Sequence, residues 1–138
     1  MTDLLTGPYF WSAASILGLL LMYPFQLFIG DVAQEKMGRT PGTPTLGGPE
    51  DFGFRADRAA SNSLENMPFF IFMMLMSVAL VTPPTLTNVL AIMALVLRVI
   101  HMVAYYAGHR NIRGLSWLAG LLVMLTMSGN MIWTLVAG

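Results

Sequence analysis

Two short polar stripes interrupt an otherwise apolar chain. Arg58, Asn62 and Glu65 recur at helical spacing in one segment, and Arg98, His101 and Tyr105 recur in another. At about 100° per residue, Arg55, Arg58, Asn62 and Glu65 fall within about 80° of one another, and Arg98, His101 and Tyr105 within about 60°. An ionisable residue at membrane depth costs a few kcal/mol or more, so it lines a site or pairs with a neighbour. Polar groups inside spans also tie helices together, at roughly 0.6 to 2 kcal/mol per bond. So many aligned groups of mixed type, two of them arginines, exceed what such ties need. Arginine forks match carboxylates, so the expected ligand is anionic. A metal site is not expected, because the only other histidine, His109, lies apart in a connection. With no cysteine in the chain, disulfides, thiolate metal sites and a cysteine nucleophile are excluded. No nucleophilic triad, phosphate loop or dinucleotide fingerprint is present.

The elements that must position these groups are membrane helices. Of 138 residues, 56% are hydrophobic and only 10% charged, where a soluble domain carries about 25%. The mean hydropathy of +0.67 points the same way. The length accommodates about four spanning helices and little else. A net charge of zero leaves no basic footprint for nucleic acid. Met1–Gly7 has no Lys or Arg, and the apolar run from Pro8 to Ile29 is too long for a cleavable signal, so it is read as the first span. Thr2 and the lack of cysteine leave no lipidation motif.

The reading is one integral membrane domain over residues 1–138. It is all-α, an up-down-up-down four-helix bundle with spans at about 9–29, 57–81, 86–107 and 114–136. Pro24 is expected to kink the first span. Residues 30–55, rich in Gly, Pro and charge, read as a long exposed connection. Lys36, Arg39, Arg55, Arg58, Arg110 and Arg113 all lie on the side of the first and third connections. Those connections are therefore expected in the cytoplasm, with both termini outside. Trp11, Trp117 and Trp133 read as interface anchors, Met73, Met74 and Met76 as packing, and Gly18, Gly120 and Gly129 as close helix contacts. With the second helix starting near Asp57, a straight antiparallel pair sets Glu65 level with Arg98, Asn62 with His101, and Arg58 with Tyr105. A Glu65–Arg98 ion pair about 12 Å below the cytoplasmic end is expected, under a polar cavity.

The run Arg58-Ala59, Asn62, Glu65, Pro68 resembles the second-helix signature of the MAPEG family, the membrane-associated proteins of eicosanoid and glutathione metabolism. Arg98, His101 and Tyr105 resemble that family's third-helix pattern, and Arg113 resembles the arginine assigned there to the reactive thiol. The resemblance implies a homotrimer with glutathione as cofactor, bound between subunits, open to the cytoplasm and adjoining the lipid bilayer. It implies that Arg58, Asn62, Glu65, Arg98, His101 and Tyr105 bind the tripeptide and that Arg113 is the catalytic group. A thiol with a pKa near about 8.5 is mostly protonated at neutral pH, and a nearby guanidinium favours the nucleophilic thiolate. Ala60 stands where many members have His or Gln, Ser61 where one branch has a further Arg, and Lys36 is the nearest counterpart of a first-span cation. These variants and the short turns resemble the family's bacterial branch, implying a bacterial plasma membrane. The implied function is a membrane-bound glutathione-dependent transferase or peroxidase acting on hydrophobic small-molecule electrophiles. The competing readings are a non-catalytic lipid-binding or scaffold protein and an accessory subunit of a membrane complex.

Overall fold

The computed structural model describes residues 7–137. The readings made on Met1 to Thr6, that no signal or lipid is attached there, lie outside the described residues. Four α-helices follow in chain order: α1 (Phe10–Lys36), α2 (Phe52–Ala79), α3 (Pro84–Tyr106) and α4 (Arg110–Ala137). They form an all-α four-helix bundle. The helices α1, α3 and α4 are long and apolar enough to cross a membrane. The protein is thus a multi-pass integral membrane protein. The charges of α2, Arg55, Asp57, Arg58 and Glu65, lie in its first half.

The bundle is apolar outside and mixed inside. Leu21, Phe25, Phe28, Phe72, Val103 and Leu125 are exposed, while Ser12, Gln26, Ser63, Arg98 and His101 are buried. That inversion suits a hydrocarbon surround, where outward apolar area costs nothing and polar groups need partners within the protein. A core of Leu19, Met22, Met67, Phe70, Met74, Leu90, Val123 and Met127 fills the half of the bundle nearer the α2–α3 turn. In the other half, small residues let backbones approach. A Cβ added at Gly30 of α1 would sit 3.4 Å from the Asp57 Cα of α2. Ala56, Ala59, Ala60 and Ser63 of α2 are all buried there. Ala60 is therefore packing, whatever larger residue other proteins carry at that position.

Two boundaries depart from the sequence reading. The charged run Asp31–Lys36 extends α1 rather than opening a loop, and the helix stops where Gly38 adopts φ +88°. Ala33, Gln34, Glu35 and Lys36 are good helix formers, and the polarity of the run marks exit from the apolar layer, not the end of the helix. Likewise α2 begins at Phe52, ahead of the expected Asp57. The connection between them is pinned. The Gln34 side chain receives a bond from the Leu46 N–H at 2.8 Å and donates to the Leu46 carbonyl at 3.1 Å. Arg39 pairs with Asp31 at 2.6 Å and with Asp57 at 3.5 Å. Arg55 donates to the Pro49 and Glu50 carbonyls and, at 3.3 Å, to the Tyr106 carbonyl that closes α3. Helix α1 runs on through Pro24.

Among the described residues, α3 packs against each of the other helices, and α1 and α4 make no contact with each other. The seam between α2 and α4 is left partly open over α3. Asn62 of the first stripe and Arg98, His101 and Tyr105 of the second line this seam.

Candidate functional site

Arg98 lies eight residues before the end of α3, about 12 Å along the helix. It is 4% exposed. Its Nη2 donates to Asn62 Oδ1 at 2.8 Å and to Ser63 Oγ at 3.2 Å, while its Nε has no partner among the described residues. The expected Glu65–Arg98 ion pair is not made: the ion pairs of the described residues are those of Arg39, and Glu65 is exposed. The register explains the change. Phe52 stacks against Tyr106 with ring centroids 5.7 Å apart, so the start of α2 lies level with the end of α3. Eight residues further on from Phe52–Arg55, the level of Arg98 is that of Ala60 to Ser63. The pairing is one turn away from the one expected from a start at Asp57.

One turn nearer the α3–α4 connection, His101 is 3% exposed. Its Nδ1 lies 3.1 Å from the Arg113 carbonyl and 3.0 Å from Ser116 Oγ. The Ser116 hydroxyl itself donates to the Arg113 carbonyl at 3.0 Å. This triangle locks the first turn of α4 onto α3. It places the Arg113 guanidinium 4.5 Å from the centroid of the Tyr105 ring, within cation–π range. Tyr105 in turn meets the His101 ring edge-on, at 5.1 Å between centroids.

These groups line a cleft of about 270 Å³ formed by Asn62, His101, Tyr105, Arg110, Arg113, Gly114 and Trp117. Beside it, a groove of about 230 Å³ runs between α2 and α4, lined by Asn66, Phe69, Phe70, Arg98, Ser116, Trp117, Gly120, Leu121 and Met124. Trp117 belongs to both and divides the polar cavity from the apolar one. The structure thus brings Asn62, His101, Tyr105 and Arg113 together in one cavity and sets Arg98 at the edge of the next. Arg58 and Glu65 lie in neither. Seven residues apart, they share an exposed face of α2 about 40° to 60° round from Asn62.

Ser63, Arg110, Ser116 and Trp117 are the lining or anchoring residues that the stripes did not reveal. Trp117 follows Arg113 by one turn, and Gly120, Leu121 and Met124 continue that face. Helical spacing counted forward from Arg113 therefore carries the missing signal. Trp117 is a cavity wall as well as a residue near a helix end.

The cavity is rich in donors. Arg98 can only donate, so the Asn62 oxygen faces it and the Asn62 amide NH₂ is left for the cleft. Arg110, Arg113 and the Trp117 indole add further donors, and no carboxylate lines the cleft. Such a wall suits a ligand with carboxylates or a developing anion. Among the described residues, no group of three His, Asp or Glu is placed to hold a metal ion.

The fold and site together are a membrane bundle with an arginine-lined cleft beside a largely apolar groove. The chain matches the MAPEG family over residues 11–133, and it belongs to that family of lipid- and glutathione-related membrane proteins. No curated protein matches it.

Proposed function

We propose that the protein is a glutathione-dependent transferase or peroxidase for lipophilic electrophiles. The observation that carries this reading is the Arg113 guanidinium, fixed on the Tyr105 ring within a donor-rich cleft that adjoins an apolar groove. Family membership is consistent with such activity. The residues fit the tripeptide. Asn62, Arg110 and Arg113 offer donors for its carboxylates, with Tyr105 and His101 beside them. When bound, glutathione supplies the nucleophilic sulfur. Arg113 holds positive charge against that sulfur and favours its deprotonated form. Trp117, Phe69, Phe70 and Leu121 exclude water from the neighbouring groove and concentrate apolar substrate there.

The proposal includes assembly as a homotrimer. Glu65 lies thirteen residues into α2, about 20 Å along it, and is exposed together with Arg58. An exposed carboxylate at that depth is unfavourable against lipid, so the face it shares with Arg58 is assigned to a contact with a second copy. In that assembly Arg58 and Glu65 complete the tripeptide site at the subunit boundary. The cationic side of the first and third connections faces the cytoplasm of a bacterial plasma membrane, and the cleft opens there.

The test is the ultraviolet difference absorbance of glutathione thiolate on titration into the purified protein at neutral pH, alongside Arg113→Ala. Saturable thiolate formation that disappears in the variant is expected. Thiolate formation retained by Arg113→Ala removes the role given to that residue. No binding up to millimolar glutathione moves the reading to a lipid-binding protein, which the apolar groove would serve equally well.

A further inference from the structure

We infer that the groove between the last turns of α1 and the start of α2 holds a phospholipid with a primary-amine headgroup, its phosphate on Lys36 and its ammonium on Asp51. The inference does not rest on the function proposed above.

The groove encloses about 410 Å³, within the roughly 300 to 1,000 Å³ of sites that take a small molecule. Its walls include Phe28, Ile29 and Val32 of α1 and Phe52 of α2, and its rim carries Lys36 and Asp51. Phe28 and Phe52 are exposed. Ile29 closes the apolar run of α1, and Lys36 stands seven residues further on, about 10 Å along the helix. The wall is therefore at the depth of acyl chains and the rim at the level of headgroups.

The groove lies away from the cleft. The helices contact one another round the ring α1–α2–α4–α3, with α2 and α3 also touching across it, so the α1–α3 side is opposite the α2–α4 seam. A Cβ added at Gly18 would press on the Leu95 side chain of α3, at 2.9 Å. Lys36 follows eighteen residues later, about five turns, on the same face of α1. Phe52 likewise stacks on Tyr106 of α3. Arg58 and Glu65 project about 120° to 140° round α2 from Phe52, so a second copy seated on them leaves the groove against lipid. Lys36, the nearest counterpart of a first-span cation, thus serves this groove rather than the cleft of its own chain.

Charge decides the headgroup. Among the described residues, Arg39 pairs with Asp31 and Asp57, whereas Lys36 and Asp51 form no ion pair, with each other or with a neighbour. Asp51 Oδ2 accepts the Gly48 N–H at 2.9 Å, which orients the carboxylate and leaves Oδ1 without a bond among the described residues. One cation and one anion on the same rim match a zwitterion. The Lys36 ammonium donates to the phosphate that every phospholipid carries. Asp51 only accepts, and a primary ammonium brings it three N–H donors. The quaternary ammonium of choline brings none. A glycerol headgroup has no cation and sets a net negative lipid against the carboxylate.

Native mass spectrometry of the whole protein in detergent tests this, with phosphatidylethanolamine, phosphatidylglycerol or phosphatidylcholine of identical acyl chains titrated in. Phosphatidylethanolamine is expected to bind about fivefold more tightly than the other two, the upper range for a partly exposed charge pair. Equal binding of the three, or a preference for phosphatidylglycerol, overturns the inference. Asp51→Asn keeps an acceptor for the Gly48 N–H and is expected to remove the preference; a preference that survives overturns the role of Asp51. Lys36→Met keeps an apolar stem and is expected to weaken all three lipids about fivefold; unaltered binding overturns the role of Lys36. Dissociation of either variant into a smaller assembly, read in the same spectra, also overturns the lipid and makes the groove a contact between copies. Glutathione binding by calorimetry is expected to be the same in wild type and both variants. Its loss in Lys36→Met alone returns that residue to the cleft and overturns the inference.

Discussion

The two ends of the bundle handle buried polar groups in opposite ways. At the α2–α3 turn, the Tyr9 hydroxyl donates to the Thr82 carbonyl at 2.5 Å, and the Thr82 and Thr87 hydroxyls lie 2.6 Å apart. The Ser12 hydroxyl donates to Asn88 Oδ1 at 2.8 Å, and Asn88 donates to the Pro8 carbonyl at 2.7 Å. Among the described residues, the Ser77 hydroxyl and the Asn130 amide nitrogen of α4 are left over at this end. At the α3–α4 end, Arg98 Nε and His101 Nε2 are buried with no partner among the described residues, although the same side chains are well anchored through their other atoms. A closed network holds a fold together. A network anchored on one side and open on the other accords with the binding role proposed for that end.

The comparison breaks first at Arg113. Its guanidinium rests on the Tyr105 ring, and the lock on His101 uses the Arg113 backbone, which truncation spares. Arg113→Ala is therefore expected to lower turnover by about a hundredfold or more, the usual loss for one charge-stabilising group. The midpoint of thermal unfolding in detergent should stay within a few degrees. A large fall in that midpoint would place Arg113 with the structural polar groups. Tyr9→Phe is the mirror image. It removes a buried donor from the closed network and is expected to cost about 1 to 2 kcal/mol of stability, measured by denaturant unfolding. Glutathione binding should be unchanged, because Tyr9 lies at the other end of the bundle.

How much of this was legible in the sequence depended on whether side-chain period or chain register decided it. Asn62, His101 and Tyr105 were visible because a 3.6-residue period in an apolar helix leaves polar groups conspicuous. Arg98 was visible too, but not its partner. The offset of α2 against α3 depends on where α2 begins, and Pro49, Gly53 and the charges around them read as loop. In the structure Arg55 caps the loop carbonyls and lets the helix start at Phe52, which moves the whole face by a turn. Glu65 lies on the bundle surface because it sits about 60° round the helix from Asn62. Trp117 was hidden by a different cause. Its large amphipathic ring near a helix end has an interface role by default, and only its spacing from Arg113 separates the two uses.

Gln26 sharpens the comparison in the middle of the bundle. It is 0% exposed on α1, and neither its Nε2 nor its Oε1 has a partner among the described residues. It lines none of the cleft or groove cavities, so by the rule drawn above it is an open group without a site. Gln26→Met conserves length and volume while removing both unpaired groups. It is expected to stabilise the protein by about 1 to 2 kcal/mol and to leave glutathione binding untouched. A loss of stability of similar size would show that a buried water or a second copy of the chain satisfies the amide, and Gln26 would then join the closed class.

The smallest expected effect comes from the turn that carries the closed network. Val81 adopts φ +53°, a left-handed backbone conformation that a β-branched side chain disfavours, and its side chain is 73% exposed. The strain is held by bonds on either side. The Val81 N–H donates to the Val78 carbonyl at 3.1 Å, and the Thr82 N–H donates to the Ser77 carbonyl at 3.1 Å. Exposed as it is, the side chain contributes little packing, so Val81→Gly relieves the conformation without opening a cavity. The left-handed penalty of about 1 to 2 kcal/mol is offset by the greater chain entropy that glycine loses, about 0.5 to 1 kcal/mol. A net gain of about 0.5 to 1 kcal/mol is therefore expected in denaturant unfolding, with catalysis and glutathione affinity unchanged. If the variant gains stability but loses activity, the strained turn is coupled to the distant cleft through α3. The two ends of the bundle would then be one mechanical unit rather than a closed structural network and an open binding site.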